Sequence, residues 1–203
     1  NELKFSLCIG HLNHMARGEA SDKDAEFVAR MGDTLGIEVF IDSIDIKEAL
    51  PGLKTSFQEG ARIIRYQFLE SVMKKCSANK IAVGHNADDQ VETFFINLFR
   101  GSGLKGLAGI PPARDKIIRP LLECTRTEIE AYLKRRQLSY RSDRTNEARD
   151  YLRNRIRLDL IPNLEGAYGK DVKSHVLHTA EIVREEDNYM EGLAHALLNS
   201  LLR

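Results

Sequence analysis

The sequence predicts an α/β fold, a parallel sheet with helices on both faces, and three observations carry that expectation. Short apolar runs of strand length, "FSLCIGHL", "IEVFIDSI" and "KIAVGH", recur along the first half of the chain. Between them lie longer segments whose apolar residues repeat at helical spacing. Parallel neighbours need crossover connections of a dozen or more residues, and helices of this length supply them.

Taken in order, residues 5 to 12 read as the first strand, followed by a helix over about 21 to 35 with Phe27, Met31 and Leu35 spaced by four. Residues 37 to 44 are the second strand. After a turn around Pro51 and Gly52, a helix runs from Ser56, a suitable N-cap, to Cys76. Its buried stripe is Phe57, Ala61, Ile64, Phe68 and Val72, while Gln58, Arg62 and Arg65 form a second row. Residues 80 to 85 are the third strand, and the third helix spans about Ala87 to Phe99. Asn86 is its expected N-cap, and Gly101 suits the left-handed position that closes it. Beyond Pro112, "IIRPLL" is one more candidate strand, and "TRTEIEAYLKRR" is a helix whose Thr125 and Glu128 have capping-box spacing. A helix near 149 to 160 follows, and from Lys170 onward the chain reads almost wholly helical.

The bulk properties exclude more than they identify. With 203 residues and 42% hydrophobic content the chain can bury a sizeable core. Thirty basic residues balance thirty acidic ones, so no global field points to nucleic acid or membrane. The charge is nevertheless uneven: residues 1 to 50 carry five Lys/Arg against ten Asp/Glu, and residues 134 to 157 carry nine against three. Cys8, Cys76 and Cys124 form no C-x-x-C pair, which argues against a zinc ribbon, an iron–sulfur site or a disulfide framework and favours a reducing compartment, the cytoplasm. No apolar run reaches the ~20 residues needed to span a bilayer, so no membrane partner is expected.

"GHNADDQVETFF" crowds Asp88, Asp89 and Glu92 into little more than one helical turn directly after His85 at a strand end. Acids in a first turn are favoured by the helix dipole at about 0.3–1 kcal/mol, which explains Asp88 and Asp89 structurally. Glu92 lies beyond that turn, three and four residues from the aspartates, where like charges repel. A cation on this face would remove the conflict, either Mg²⁺ held together with substrate phosphates or an ammonium substrate. Arg62 and Arg65 are solvated side chains or a phosphate grip. "GSGLKG" matches G-x-G-x-x-G but follows a helix where the dinucleotide fingerprint must follow a strand, so it reads as a glycine-rich mobile loop and a candidate lid. No Walker loop is present. Arg149, Arg153 and Arg157 repeat every four residues with Arg155 between them, which points to a polyanion, an RNA backbone or a nucleotide phosphate. His11 and His14 bracket a strand end, as ordinary polar groups or as a metal pair.

These residues together resemble the N-terminal catalytic domain of bacterial tRNA(Ile)-lysidine synthetases, within the PP-loop ATP pyrophosphatase group. The resemblance runs through "HLNHMARGEASDKDAEFV", "SFQEGARIIRYQFLE", "GHNADDQVETFFINLFRGSGLKGLAGIPP", "IIRPLLE" and "SDRTNEARDYLRNRIRLDLIPNL", covering about residues 5 to 165. It implies an adenine-nucleotide alpha-hydrolase-like fold and an ATP-dependent C–N ligase. In that chemistry ATP adenylates the C2 oxygen of the wobble cytidine of a CAU anticodon in tRNA(Ile), and free lysine then displaces AMP. It further implies His85, Asp89 and Glu92 as catalytic residues around ATP, Mg²⁺ and lysine, and Arg65 and Arg157 as nucleotide contacts; the residue patterns add Arg62, Asp88 and Arg153 as substrate or nucleotide contacts, Asp89 as a Mg²⁺ ligand, and Arg149 and Arg155 as tRNA contacts. Residues 1 to 165 would be the catalytic domain and 166 to 203 a helical linker or the start of a second, tRNA-binding domain. The family's S-G-G-x-D-S phosphate loop should precede "FSLCIGHL", and the chain opens at Asn1 without it, so N-terminal truncation is expected. A PP-loop tRNA thiolase or a non-catalytic nucleotide-binding module of the same fold is the alternative. Oligomeric state is left open, a homodimer being one option.

Overall fold

A computed structural model describes residues 5–15, 18–49, 57–141 and 151–202. Ser56, Arg149 and the turn at Pro51 and Gly52 lie outside them, as do the side chains of Phe57 and Gln58. The chain forms two compact units that divide between Ile81 and Ala82.

The first unit is built on a parallel strand pair. β1 (Cys8–Asn13) runs beside β2 (Glu38–Ser43) in a register that sets Cys8 against Glu38 and Asn13 against Ser43. α1 (Glu19–Leu35) is the crossover between them, starting two residues before its expected position. It lies so close to β2 that a Cβ on Gly32 would fall 2.0 Å from a methyl of Val39, so only glycine allows the approach. A short helix, α2 (Ile46–Ala49), follows β2 and buries Ile46 completely. α3 (Phe57–Lys75) packs on β1 and buries Ile64, Val72 and Met73. It carries the chain back along β1, and this brings Cys76 beside Cys8, their Cα atoms 6.9 Å apart. The 68-residue separation left no trace in the local sequence.

The second unit opens within β3 (Ile81–Ala82), which forms a three-stranded sheet with β4 (Ala113–Arg114) and β5 (Ile117–Ile118) in the order β3-β5-β4. β5 is the strand expected in "IIRPLL", and β4 pairs with it antiparallel. Between β3 and β4 run α4 (Ala87–Phe99) and a single helical turn, α5 (Leu104–Leu107). α4 closes where expected, with Gly101 in the left-handed region at φ 71°. α6 (Arg126–Arg135) begins at a capping box made by Thr125 and Glu128, as its spacing predicts. α7 (Leu152–Arg155) passes through a π-helical turn, Ile156–Leu160, into α8 (Ile161–Tyr168), and α9 (Val172–Leu201) is the long terminal helix. The π turn has a local cause. Pro162 in the first turn of α8 has no N–H for the carbonyl four residues back and its ring crowds that carbonyl, so the ladder widens just before it. Val91 and Phe95 of α4 pack against Ile156 and Ile161, with Leu164, Val176 and Leu177 around them. That cluster fixes α4 against the α7–α8 segment and so sets the geometry of the site.

Candidate active site

Asn86 caps α4 as its sequence predicts: its side-chain oxygen accepts the Asp89 N–H at 3.0 Å, while the Asp89 Oδ2 accepts the Asn86 N–H at 3.0 Å. This reciprocal pair gives Asp89 a definite structural task at the helix start. It leaves Asp88 and Glu92 facing elsewhere. Asp88 joins three helix starts, because its Oδ2 accepts the N–H of Arg126 at the first position of α6, 2.7 Å away, and its Oδ1 pairs with Lys173 Nζ of α9 at 3.0 Å. Burial pushes the Asp88 carboxyl up, but the Arg126 N–H and the Lys173 ammonium outweigh that effect and hold it below the usual carboxylate range.

Glu92 is completely buried. The cation that its crowding calls for comes from the protein itself. Arg153 Nε donates to Oε2 at 2.7 Å, Arg157 Nε donates to Oε1 at 2.5 Å, and Arg157 Nη2 reaches Oε2 at 3.0 Å. Arg153 Nη2 also donates to Thr93 Oγ1 at 3.2 Å. The hydrogen bond to Glu92 raises the Arg157 guanidinium above its ordinary value. Both described members of the four-residue arginine row thus bind Glu92, while Arg153 and Arg157 keep 39% and 26% of their side-chain surface exposed. Arg155, between them, is exposed.

Asn86, Asp88, Glu92, Arg126, Arg157 and Lys173 line a cavity of about 240 Å³ together with Thr127, Glu130 and Ile161. It brings Asp88, Glu92 and Arg157 together, whereas of the three residues expected in one cleft, His85, Asp89 and Glu92, only Glu92 is among its walls. Sequence reasoning missed Arg126 and Lys173. Arg126 follows the Thr125 cap, which gave a positional hint, but Lys173 lies 85 residues from Asp88 and carried no signal. Three cationic and three carboxylate side chains share this lining, paired as Arg157–Glu92, Lys173–Asp88 and Arg126–Glu130.

In the first unit, Arg65 donates from Nε and Nη2 to His14 Nε2, both at 3.3 Å, and the Arg62 guanidinium stacks 5.0 Å from the Tyr66 ring centre. Burial, then Arg65 and His11, push the His14 imidazole down to about 4, so it is neutral and accepts from Arg65. Among the described residues no group of three His, Cys, Asp or Glu could hold a metal ion.

The glycine-rich stretch after α4 is not a free lid. Gln90, buried, donates from Nε2 to the Ala108 and Ile110 carbonyls at 3.3 Å and accepts the Ile110 N–H at 2.6 Å. Asn97 Nδ2 donates to the Gly106 carbonyl at 2.7 Å. From α9, Lys105 is held by Glu191 and the Ala108 carbonyl by Arg184.

Comparison with known proteins decides the family. The model of the PP-loop domain matches residues 1–164. This chain belongs to the PP-loop domain family. The PP-loop domain is also 42% identical over 195 residues to a tRNA(Ile)-lysidine synthase of Clostridium acetobutylicum, covering 96% of this chain and 42% of that protein. It is 40% identical over 200 residues to the tRNA(Ile)-lysidine synthase of Caldanaerobacter subterraneus subsp. tengcongensis, covering 98% and 43%. The chain thus spans about two fifths of the length of these curated relatives. Among solved structures, the U34-tRNA thiolase NcsA from Methanococcus maripaludis superposes with a TM-score of 0.66 at 20% identity, over 87% of this chain and 61% of that one. At that identity the likeness shows the fold, and a PP-loop fold alone does not separate a ligase from a thiolase. Within this family the described residues include no helix long and apolar enough to cross a membrane.

Proposed function

We propose that this PP-loop domain is the ATP-using catalytic part of a lysidine-forming ligase that acts in the cytoplasm on the wobble cytidine of tRNA(Ile). The observation that carries the reading is the shared cavity of Asp88, Glu92, Arg126, Arg157 and Lys173 in a chain about 40% identical to tRNA(Ile)-lysidine synthases over nearly its whole length. In the proposed reaction the cytidine C2 oxygen attacks the α-phosphorus of ATP and pyrophosphate leaves. The uncharged amine of free lysine then attacks C2, and AMP leaves.

Each wall residue has a proposed part in that sequence. Asp88 is proposed to receive the lysine ammonium at Oδ1, the oxygen that binds the Lys173 ammonium, which would give up its place. Glu92 holds Arg153 and Arg157 in place, and Arg157 with Arg126 faces the anionic end of a ligand and offsets charge developing at phosphate. Arg62 and Arg65 on α3 are proposed phosphate contacts, and Arg155 a tRNA contact. Asp89 sets the start of α4 through its pair with Asn86, and Asp89 and His85 are proposed catalytic residues beside it. Mg²⁺ would enter with the nucleotide phosphates, which it prefers to an all-protein cage. The described donors form no three-ligand set for it, so no step is routed through it. Residues 166 to 203 are proposed to lead into the tRNA-binding part of the complete enzyme.

The test is AMP release by the full-length enzyme with a CAU anticodon RNA, with and without lysine. Release that depends on both supports the ligase. RNA-dependent release that ignores lysine overturns it in favour of another PP-loop modification, and no release with any RNA favours a non-catalytic nucleotide-binding module.

A further inference from the structure

Beside Arg153 and Arg157, the basic segment gathers a second cluster of charge at the C-terminal end of α6. The helix segregates its charges by position: Glu128 closes the N-terminal capping box and Glu130 pairs with Arg126, whereas Lys134, Arg135 and Arg136 crowd the other end. None of those three makes an ion pair among the described residues. Both guanidiniums instead lie 5.7 Å from the ring centre of Tyr132, which is 46% exposed. Just past the helix, Leu138 and Tyr140 are 47% and 53% exposed. A helix C-terminus favours cations through its dipole, and one or two of them would satisfy it. The dipole gives no reason for two exposed tyrosines and a leucine interleaved with the cations. Positive charge beside exposed rings, Tyr132 flanked by two guanidiniums and Tyr140 53% exposed, is the chemistry that holds single-stranded nucleic acid, with cations on the phosphates and rings or guanidinium planes on the bases.

We propose that the C-terminal end of α6, Tyr132 through Tyr140, is a docking surface for the unpaired loop of an RNA substrate. The placement fits the site. The first N–H of α6 is bound to Asp88 at the cavity wall, and ten helical residues carry the patch about 15 Å from it. A loop that delivers one base to the cavity can lay its neighbouring nucleotides over Tyr132 and Tyr140. This surface rests on the RNA-modifying reading above and adds to it where the RNA is gripped.

The experiment uses the full-length enzyme and a fluorescein-labelled CAU anticodon stem-loop, with binding followed by anisotropy across a salt series. Replacing Lys134, Arg135 and Arg136 together by Gln is expected to reduce the slope of log affinity against log salt by about 2, three single-strand contacts at roughly 0.7 each. Tyr132→Leu is expected to weaken binding about 5- to 150-fold with the salt slope unchanged, since it removes stacking and no charge. In both variants KM for RNA should rise while KM for ATP holds, and melting curves should match the parent because every altered side chain is exposed. If the parent binds the stem-loop and both variants bind it with parental affinity and slope, the surface is overturned while the catalytic reading stands. If the parent itself fails to bind, both fall together.

Discussion

Glu92→Gln separates a structural role for the buried acid from a chemical one. Sequence alone suggests that this change removes a repulsion among Asp88, Asp89 and Glu92 and leaves stability level or slightly higher. The structure reverses the sign. Glu92 is 0% exposed and receives hydrogen bonds from two guanidiniums at 2.5 to 3.0 Å, so the amide would lose the charge that balances Arg153 and Arg157 and turn a donor toward one of them. Removing one partner of a buried ion pair costs about 3–5 kcal/mol. Because Arg153 and Arg157 keep 39% and 26% of their side-chain surface in water, which can rehydrate them, the lower end, about 3 kcal/mol, is expected here. For a chain of this size that is a fall in Tm of about 6–12 °C. The assay is thermal melting of Glu92→Gln beside Arg157→Met and the double variant. The double variant should melt above the sum of the two single losses, since it removes both charges of one pair. A Glu92→Gln protein that melts like the parent, or strict additivity in the double variant, would refute the view that these arginines are the cation the acidic turn requires.

Three further outcomes follow from neighbouring geometry. Lys173→Met should move the Asp88 carboxyl up toward the ordinary value near 4, seen by NMR titration of labelled aspartate. Because Asp88 is held low in the fold, its stabilisation is present above that ordinary value and lost as pH falls through the folded one, and in the variant, whose folded value nears the ordinary one, that acid limb should flatten. His14, pushed down to about 4, contributes full stability above about 6.5 and loses it progressively as pH falls toward 4, so His14→Gln should flatten urea-unfolding stability across that window. Gln90→Leu should strip the Ile110 N–H of its acceptor and the Ala108 and Ile110 carbonyls of a donor, at about 1–3 kcal/mol per buried group, and limited proteolysis should then cut within residues 101 to 110.

What the sequence disclosed was local, and what it concealed was distant. The Asn86 and Thr125 caps, the stop at Gly101 and the strand in "IIRPLL" depend on neighbours within a few residues, and all stand where their spacing places them. The crowding of Asp88, Asp89 and Glu92 correctly signalled a need for positive charge. Its source could not be read, because Arg153 and Arg157 arrive from 61 and 65 residues away and Lys173 from 85. The same limit explains the glycine-rich stretch, where composition suggested a lid but side chains of α4 and α9 fasten it. It also explains Cys8 and Cys76, brought together only by the path of α3 along β1.

The π turn at Ile156–Leu160 gives this helix one residue of slack at a chosen point. An α-helix transmits rotation rigidly: remove a residue and every side chain beyond it swings by about 100°. A π turn holds a surplus residue, so a deletion inside it can be absorbed by tightening to ordinary α-helical pitch, with Arg153 upstream and Ile161 downstream still facing Glu92 and the core. A deletion two residues earlier, within α7, has no such reserve and would turn one arginine of the pair away from the buried carboxylate. Pro162 sets the cost of that tightening, since an ordinary α-helical pitch crowds its ring against the carbonyl four residues back, about 3 kcal/mol, and this cost holds the surplus residue in place in the parent.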